Sequence, residues 1–431
     1  MEPFSIRGVY DLGSIPRRPA LLLPFHCTLS PRTVTTFFSS SQMEQLYEYF
    51  TRKLKETSTD FLRYKYPFIK WDVKAFGLVG PRGVGKSTML LQHIKLHHSV
   101  DDTLYVSADH LYFSEHKLVD LADRFVKMGG RHLFIDEIHK YEGWSRELKQ
   151  IIDSYSDLQV VISGSSILDI YKGMSDLSRR VPIYNMQGLS FREYLKLFHD
   201  IDTPIYSMDE VLRNKAEIPG VAHPLPLFRS YLHNGYYPFG RDPEFDLEML
   251  QVINQTMEVD IPQYLQTNVS IGRKLKSLLM VVARSVPFKP VMTRLAEVTG
   301  ISRNDVSDYL IYIEQAGMIS QLRDRTGGIR GLGKVEKLYL DNPNLIYVLE
   351  PDKADVGNIR ETFFMNQTRV TNDVISSKIS DFEIDGRTFE IGGKNKGNKQ
   401  IENAGKGYVV KDDIETGYAN VIPIWAFGLL Y

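Results

Sequence analysis

The stretch 80-GPRGVGKS-87 constrains the fold of this chain more than any other feature. It matches the pattern G-x-x-x-x-G-K-[ST] and follows an apolar run, 75-AFGLV-79, that is typical of a buried strand. The residues that come next, 87-STMLLQHIKLH-97, have the pattern of a helix. A glycine-rich turn between a strand and a helix directs backbone N–H groups and a helix N-terminus at one point, and both favour anions. The pattern therefore predicts a phosphate-binding loop in an α/β fold.

Each residue type in this loop has a chemical reason to be there. Gly80 and Gly85 allow the backbone to wrap phosphate groups, and Lys86 can reach the β and γ phosphates as a point charge. The Ser87 hydroxyl can ligate Mg²⁺. We therefore expect ATP and Mg²⁺ as ligands, although a chance glycine-rich turn is the alternative. The residues expected to contact the nucleotide are Gly80, Pro81, Arg82, Gly83, Val84, Gly85, Lys86, Ser87 and Thr88.

Two adjacent carboxylates close a second apolar run, 133-LFIDE-137. Burying either Asp136 or Glu137 without a partner is costly, so a cation or a reaction is expected at this strand end. In phosphate-loop enzymes an acid at this place holds the Mg²⁺ ion, here Asp136, and the next acid can activate the attacking water, here Glu137. Two solvated loop residues are the alternative, which the apolar lead-in disfavours.

Strands and helices alternate through the first half of the chain, and the strands are apolar throughout. This pattern is typical of a parallel sheet covered by helices on both faces. After about Leu195 the alternation stops and the chain is expected to be mostly helical. Beyond the loop, we predict strands at 103–109, 131–135 and 158–166 and helices at 43–64, 117–129 and 145–155.

Further candidate residues follow the last of these strands. The strand ends in 162-ISGSS-166, where Ser163 or Ser165 could sense the γ-phosphate, or either could cap the following helix. Arg179 and Arg180 could stabilise transition-state charge as an arginine finger, although a solvated surface pair is the alternative.

Composition limits the location and the partners. Lys plus Arg number 52 and Asp plus Glu number 53, so any nucleic-acid surface must be local. The single cysteine, Cys27, fits a reducing compartment, and no apolar run approaches the ~20 residues of a membrane span. We therefore expect a cytoplasmic protein. Residues 1–42, rich in Pro, Ser, Thr and Arg, are expected to be a disordered leader or a non-native extension, with a targeting peptide as the alternative.

The segment 291–319 predicts two helices joined by a glycine-containing turn, and 320–328 predicts a wing. The second helix would begin near Arg303 and Asn304, where DNA contacts would fall. Asp305 and Asp308 lie beside them and would repel phosphate. DNA binding and a protein-binding role therefore both stay open.

Several segments in fixed order resemble a known family, the predicted AAA-superfamily ATPases of archaea and bacteria. In the first half they are 80-GPRGVGKST-88, 133-LFIDEIHKYEGWSRELK-149, 162-ISGSS-166 and 188-GLSFREYL-195, and in the second half 231-YLHNGYYP-238, 338-LYLDNPNLIYVL-349, 358-NIRETFFMNQ-367 and 389-FEIGGKNKGNKQI-401. The resemblance runs from about Met43 to Tyr431. It implies ATP binding and hydrolysis by an ATPase core, followed by a winged helix and a restriction-nuclease-like end. It also implies that a ring-like homo-oligomer could supply an arginine from a neighbour.

Nucleases of that type use an acid and then an acid-x-Lys to hold a divalent ion. Here the acids are Glu361, Asp381, Asp385 and Glu390. The spacing departs from the pattern because Glu390 is followed by Ile391 and Gly392, and the first lysine is Lys394. Four residues along a strand span about 13 Å, so Lys394 could approach Glu390 only across a bulge or turn. A degenerate scaffold, whose lysines Lys394, Lys396 and Lys399 face phosphates or water, is the alternative.

These observations predict a chain of five segments. They are the leader 1–42, an ATPase core 43–199, a helical lid or linker 200–270, a winged helix 271–345 and a restriction-nuclease-like domain 346–431. The expected activity is Mg²⁺-dependent ATP hydrolysis coupled to DNA or to a protein partner. The alternatives are a nucleotide-binding, DNA-associated regulator with negligible turnover and an ATP-gated nuclease.

Overall fold

A five-stranded parallel sheet lies at the centre of the first half of the chain. All of its strand pairs are parallel, and its order is β2-β3-β4-β1-β5. Strand β4 therefore lies between β1, which precedes the glycine-rich loop, and β3, which ends at Asp136. The strands are β1 (Ala75–Val79), β2 (Thr103–Ser107), β3 (His132–Asp136), β4 (Gln159–Gly164) and β5 (Ile183–Asn185).

The computed structural model describes residues 41–165, 177, 179–267, 269–285, 287–325, 333–397, 401–402 and 405–431. The predicted leader, 1–42, lies outside these ranges except for its last two residues, which begin helix α1 (Ser41–Glu56).

Helices connect the parallel strands. They are α2 (Lys86–His97), α3 (Leu118–Lys127) and α4 (Trp144–Ser154). Every residue of β1 and β2 is buried, as is every residue but the first of β3 and β4, and such strands need cover on both faces. The predicted parallel α/β fold with flanking helices is confirmed.

The helix predicted over 43–64 is wrong at its C-terminal end, because α1 stops at Glu56. Side chains of α2 hold the following segment in a non-helical conformation. Gln92 Nε2 donates to the carbonyls of Ser58 and Phe61 at 2.9 and 2.8 Å, and Lys95 Nζ donates to the Thr57 carbonyl at 2.6 Å. These carbonyls therefore bond to another helix instead of continuing their own.

Short helices follow the sheet, as the sequence predicts for 200–270. They are α5 (Phe191–His199), α6 (Met208–Leu212), α7 (Leu225–Ser230), α8 (Phe245–Gln255) and α9 (Ile261–Leu265). Two π-helical turns, Tyr231–Gly235 and Thr256–Asp260, extend α7 and α8. The second of these turns reaches the glycine-rich loop.

Three helices and an antiparallel hairpin come next. They are α10 (Val269–Ser285), α11 (Met292–Thr299), α12 (Arg303–Gln315), β6 (Ile319–Arg323) and β7 (Val335–Leu340). Gly300, at φ 65°, ends α11 in the left-handed conformation that favours glycine. The two helices predicted within 291–319 are present. The segment 320–328 predicted as a wing begins inside β6, and residues 326–328 lie outside the described ranges.

A mixed sheet with the order β12-β11-β10-β9-β8 ends the chain. Neighbouring strands from β8 to β10 pair antiparallel, and neighbouring strands from β10 to β12 pair parallel. The elements are α13 (Pro343–Leu349), α14 (Val356–Thr368), β8 (Val374–Ser376), β9 (Phe382–Ile384), β10 (Arg387–Gly392), β11 (Gly407–Lys411) and β12 (Val421–Pro423). The hairpin predicted near 379–400 corresponds to β9 and β10.

Two large apolar cores cross the predicted segment boundaries. One joins the parallel sheet to residues as far along the chain as Ile359 in α14. The other joins α5 and α7 to the C-terminal sheet, with Phe191 and Phe363 fully buried in it. Within the described ranges, no helix combines the length and the apolar character that a membrane span requires.

Candidate nucleotide site

The glycine-rich loop leaves the carboxyl end of β1 and enters α2. Gly85, at φ 96°, adopts a backbone conformation that other residues rarely tolerate. A Cβ atom on Gly80 would lie 2.0 Å from the Met186 carbonyl oxygen. Glycine is therefore required at both positions for the chain to turn tightly into the helix.

Lys86 begins α2 and turns back over the loop. Its ammonium is buried and donates to the carbonyl oxygens of Gly80 and Pro81, each at 2.9 Å. Burial lowers the pKa of Lys86, while the nearby carboxylates of Glu137 and Asp136 oppose that shift. The lysine of the loop and the two acids at the end of β3 therefore lie close enough to influence each other.

The Asp136 carboxylate is buried and holds three protein hydrogen bonds. Oδ1 accepts from the backbone N–H of Glu137 at 3.0 Å and from the Ser163 hydroxyl on β4. Oδ2 accepts from the Tyr105 hydroxyl on β2 at 2.6 Å. Burial raises the pKa of Tyr105, and the charge of Asp136 raises it further, so this phenol stays protonated as a donor.

Glu137 lies just beyond the strand, in a left-handed conformation with φ 50°. Such a conformation is strained for a residue with a side chain, and it turns the carboxylate out of the strand direction. Glu137 Oε2 accepts from the Ser165 hydroxyl at 3.0 Å and lies 3.4 Å from His139 Nδ1. Burial lowers the pKa of His139 to about 4, and Lys140 contributes to the shift, so the imidazole is neutral at neutral pH.

The two serines left open by the sequence have different partners. Ser163 is fully buried and donates to Asp136, whereas Ser165 donates to Glu137. Gly164 ends β4 between them, and Ser166 lies outside the described residues. Ser165 is therefore the serine beside the acid expected to activate water.

Asp260 and Lys140 also belong to this site, although no sequence motif indicates it. Asp260, from the second π-helical turn, accepts from Arg82 Nη2 at 3.3 Å and from Lys140 Nζ at 3.1 Å. Arg82 belongs to the loop, and Lys140 follows Glu137 in a short 3₁₀ helix (Ile138–Lys140). An acid from the helical segment thus bridges the two loops of the site.

Arg63 was also missed, because the sequence placed it within an amphipathic helix. Its guanidinium donates to the carbonyls of Val84, Gln187 and Gly188 at 2.6, 2.7 and 2.8 Å. It also pairs with Glu193 at 2.9 Å, and both side chains are buried. Arg63 therefore fixes the back of the glycine-rich loop to the chain that follows β5.

Arg179 and Arg180 lie away from the loop in the same molecule. Both are exposed, and Arg180 pairs with Asp153 in the last turn of α4 at 2.9 Å. They precede β5, which runs parallel to β1, so they lie toward the amino edge of the sheet. The loop lies at the opposite, carboxyl edge, so neither arginine is placed as a finger for the site of its own chain.

The remaining loop residues differ in their exposure. Val84 is buried, whereas Gly83 and Thr88 are exposed and Ser87 is half-buried. Pro81 packs against the turn after α12, where a Cβ on Gly317 would lie 2.4 Å from Pro81 Cγ. The turn between α12 and β6 therefore contacts the loop directly.

Glu361 and Asp381, two of the four acids proposed for a nuclease site, share one lysine, and Glu390 pairs with another. Lys337 Nζ lies 3.1 Å from Glu361 and 3.0 Å from Asp381, and the Lys396 ammonium pairs with Glu390. Asp381 also accepts from the backbone N–H of Ile391, next to Glu390, at 2.9 Å. Within the described ranges, no three His, Cys, Asp or Glu side chains form a group that could hold a metal ion.

The structure corrects two details of that cluster. Asp385 lies in the turn between β9 and β10, at φ 49°, exposed and apart from the other acids. Lys394 is exposed, and it is Lys396 that folds back over Gly392 to reach Glu390, because a turn follows β10. Lys399 lies outside the described residues.

The start of α12 carries the mixed charges expected from the sequence. Ser302 caps the helix by accepting from the Asp305 backbone N–H at 3.3 Å. Arg303, Asn304, Asp305 and Asp308 are all exposed. The structure therefore presents both cationic and anionic groups at the end that would approach DNA.

Similar solved structures include the AMPPCP-bound DnaA from Aquifex aeolicus and the Hsp104–ADP complex of S. cerevisiae. The first is 14% identical over 65% of this chain and 90% of its own, with a TM-score of 0.23. The second is 16% identical over 63% of this chain and 40% of its own, with a TM-score of 0.29. Such scores are too low to support an argument about this protein.

Two proteins of Methanocaldococcus jannaschii are similar in sequence. The uncharacterized protein MJ1637 is 30% identical over 183 residues, which are 39% of this chain and 38% of that protein. The uncharacterized protein MJ1544 is 25% identical over 349 residues, which are 74% of this chain and 72% of that protein. The match thus spans well under half of the first relative, and neither name assigns an activity.

Two protein-family models match separate parts of the chain. Residues 225–389 match a domain of unknown function, DUF8612, and residues 72–195 match a model described as an AAA domain. The second match contains the glycine-rich loop and both acids at the end of β3. The parallel sheet, the position of the loop and this match agree on an AAA-type phosphate-loop domain over residues 72–195.

Proposed function

We propose that this protein binds ATP together with Mg²⁺ and hydrolyses it. The observation that carries the proposal is the placement of Lys86 beside Asp136 and Glu137, at the carboxyl edge of one parallel sheet. Lys86 would hold the β and γ phosphates, Ser87 and Asp136 would hold the ion and its water shell, and Glu137 would activate water.

Groups around the loop fit an anionic ligand. The buried Lys86 ammonium donates to two neutral carbonyl oxygens, which do not balance its charge. Arg82 Nε and His139 Nδ1 are buried and form no hydrogen bond. The Arg82 Nε–H donor is costly to bury without an acceptor, and phosphate oxygens or an ordered water would satisfy it. The N-terminus of α2 adds further positive potential.

The proposed reaction is an in-line displacement at the γ-phosphorus. Mg²⁺, when bound, neutralises charge that develops on the phosphate oxygens. Glu137 takes a proton from a water molecule as its oxygen bonds to phosphorus, and the bond between that phosphorus and the ADP oxygen breaks. The Ser165 hydroxyl, which donates to Glu137 Oε2, holds the carboxylate in place for this proton transfer.

A Glu137→Gln variant tests the proposal. Removing a general base typically costs about 10²–10⁴ in rate. We expect phosphate release to fall by about a hundredfold or more while a fluorescent ATP analogue still binds with Mg²⁺. Glu142→Gln, an exposed neighbour, is the matched control and should keep the wild-type rate.

The same experiment separates the enzyme from a nucleotide-binding regulator. If the wild type and Glu137→Gln release phosphate equally slowly while ATP binds tightly, the protein is a switch without turnover. If the wild type does not bind ATP in the presence of Mg²⁺, the proposed site itself is wrong.

Coupling of ATP turnover to DNA is proposed through the winged helix. The order α10–α11–α12–β6–β7, with an added bridge from Phe288 to Leu338, supports a winged-helix arrangement. Phosphate release should then rise with duplex or single-stranded DNA, and the effect should weaken with salt. No stimulation at low salt would favour a protein partner.

An ATP-gated nuclease is the second candidate, favoured by Glu361 and Asp381, which share Lys337, and by Glu390, whose neighbour Ile391 donates its backbone N–H to Asp381. Lys337 and Lys396 already neutralise these acids, so cutting would require the lysines to move. The candidate predicts metal-dependent DNA cutting that Glu390→Ala abolishes. Absence of cutting by the wild type with ATP and Mg²⁺ or Mn²⁺ would eliminate it.

A further inference from the structure

Asp260 is a buried acid that reaches the nucleotide site from outside the parallel-sheet domain. It ends the π-helical turn Thr256–Asp260, between α8 and α9, and its side chain is only 7% exposed. Its carboxylate accepts from Arg82, Lys140 and Gln255 at 3.3, 3.1 and 3.2 Å. Two of these donors are cations, Arg82 in the glycine-rich loop and Lys140 in the 3₁₀ helix after Glu137.

The charges around Asp260 keep it ionised. Burial alone would raise the pKa of Asp260, but Lys140 and Arg82 outweigh burial and hold the pKa below its usual value. A carboxylate with two cations on separate loops thus substitutes for an anionic ligand in the protein without nucleotide.

The contact to Arg82 is loose. Its 3.3 Å separation exceeds the 2.7–2.9 Å typical of a charge-assisted hydrogen bond. Arg82 Nε is buried and has no acceptor at all. A triphosphate, with several charged oxygens at the same loop, offers Arg82 more and better-placed acceptors than Asp260 does.

We propose that Asp260 is a positioning residue that competes with the γ-phosphate of ATP for Arg82 and Lys140. The inference rests on the proposed ATP site. When ATP binds, the two cations move to the phosphate, and Asp260 loses its partners. When ADP is bound, the γ-phosphate is absent and Asp260 keeps them.

A change in the contacts of Asp260 can be transmitted to the second half of the chain through α10. The π-helical turn packs tightly against α10, because a Cβ on Gly272 would lie 2.8 Å from Glu258 Cα. A shift of Asp260 would therefore move α10, the helix that precedes α11 and α12. Through Asp260, the presence of the γ-phosphate thereby changes the position of a helix in the second half of the chain.

Nucleotide affinities of an Asp260→Asn variant test the inference. Removing the competing charge should tighten binding of a fluorescent ATP analogue about tenfold and leave ADP binding within about twofold. Asp260→Glu should restore most of the wild-type ratio of ATP to ADP affinity. Glu258→Gln is the control, because it removes the same charge from the same turn but from an exposed pair with Lys276.

A second variant covers the case in which Asp260→Asn does not fold. Lys140→Gln should weaken ATP binding more than ADP binding, because it removes a cation that the γ-phosphate recruits. A purely structural role would change both affinities equally. The inference is overturned if Asp260→Asn binds ATP no more tightly than the wild type, or if Lys140→Gln leaves the ATP-to-ADP ratio unchanged. Failure of the wild type to bind ATP would instead overturn the proposed function.

Discussion

The residues around Asp136 fix the orientation of the carboxylate that we propose as part of a magnesium site. Its carboxylate already accepts from Tyr105, Ser163 and the Glu137 backbone, which fixes the orientation of both oxygens. Groups that orient a metal-binding side chain from behind commonly alter metal affinity by about 10–100-fold when removed. Tyr105 is the donor that a substitution tests most simply, because Phe removes the hydroxyl and preserves the shape of the ring.

We therefore predict that Tyr105→Phe raises the Mg²⁺ concentration needed for half-maximal ATP binding about tenfold. The reason is that one carboxylate oxygen of Asp136 loses the donor that orients it. A titration of nucleotide fluorescence with Mg²⁺ measures this directly, with nucleotide binding in EDTA as the baseline. Tyr47→Phe, which removes a phenol that does not bond to Asp136, should behave as the wild type; an unchanged Mg²⁺ midpoint in Tyr105→Phe would refute the assignment.

At the scale of single residues, the sequence predicts those functional residues that belong to a short motif. Lys86, Ser87, Asp136 and Glu137 belong to such motifs, and the structure brings them together. The roles of Ser163 and Ser165 could not be separated, because only the fold places each one beside a particular acid. Tyr105, His139, Lys140, Asp260 and Arg63 were missed, because their contacts depend on strand order and on distant parts of the chain.

At the scale of elements, one buried ion pair joins the glycine-rich loop to α5. Arg63 satisfies three backbone carbonyls and Glu193, and Glu193 also accepts from the Ser190 backbone at the start of α5. The sequence predicted α5 only as part of a family motif and gave Arg63 no role. A pair of this kind is invisible to local patterns because 130 residues separate its members.

Arg63→Met should destabilise the protein by about 3–5 kcal/mol, because it leaves Glu193 charged and buried without its partner. Urea unfolding measures the free-energy difference. Arg180→Met, which breaks the exposed pair with Asp153, is the matched comparison and should cost about 0–1 kcal/mol. Equal losses in the free energy of unfolding would show that the buried pair stabilises the protein no more than the exposed pair does.

The far end of α2 carries a cluster of histidines at the amino edge of the sheet. His93 stacks on Trp71 at 3.8 Å, and its Nε2 lies 3.2 Å from His98 Nε2, while His132 packs on His98. Burial, followed by the charges of neighbouring histidines, lowers the pKa of His93 to about 3. Burial, followed by His132, lowers the pKa of His98 to about 4. Both imidazoles are therefore neutral in the folded protein at neutral pH.

The lowered pKa values of this cluster predict that acid reduces the stability of the folded protein. Below the ordinary histidine pKa of 6.5, the unfolded chain binds protons that the folded cluster does not, so stability should fall as the pH drops from about 6.5 to about 4. His98→Gln should make urea unfolding less dependent on pH over this interval. If the variant and the wild type lose stability in parallel, other groups cause the acid sensitivity.

At the scale of the whole molecule, the nucleotide site is enclosed by parts of the chain that the sequence assigned to separate segments. A Cβ on Gly83 would lie 2.6 Å from Phe239, and Pro81 packs on the turn at Gly317. One apolar core includes residues from α1 to α14 and crosses the predicted boundaries. Hydrophobic periodicity predicts the elements of such a core, but it does not say which of them share it.

Because these parts touch, ATP should alter hydrogen exchange beyond the site itself. In the Glu137→Gln variant with ATP and Mg²⁺, we predict faster exchange in the turn Thr256–Asp260 and in the N-terminal half of α10, since Asp260 has lost its cationic partners. The glycine-rich loop should instead become protected. Mass spectrometry of peptides from the same protein with ADP is the comparison, and β10 in the C-terminal sheet serves as the internal reference. Changes confined to the loop and the ends of β2 and β3 would show that nucleotide binding stays local, and that the second half of the chain responds to something other than the γ-phosphate.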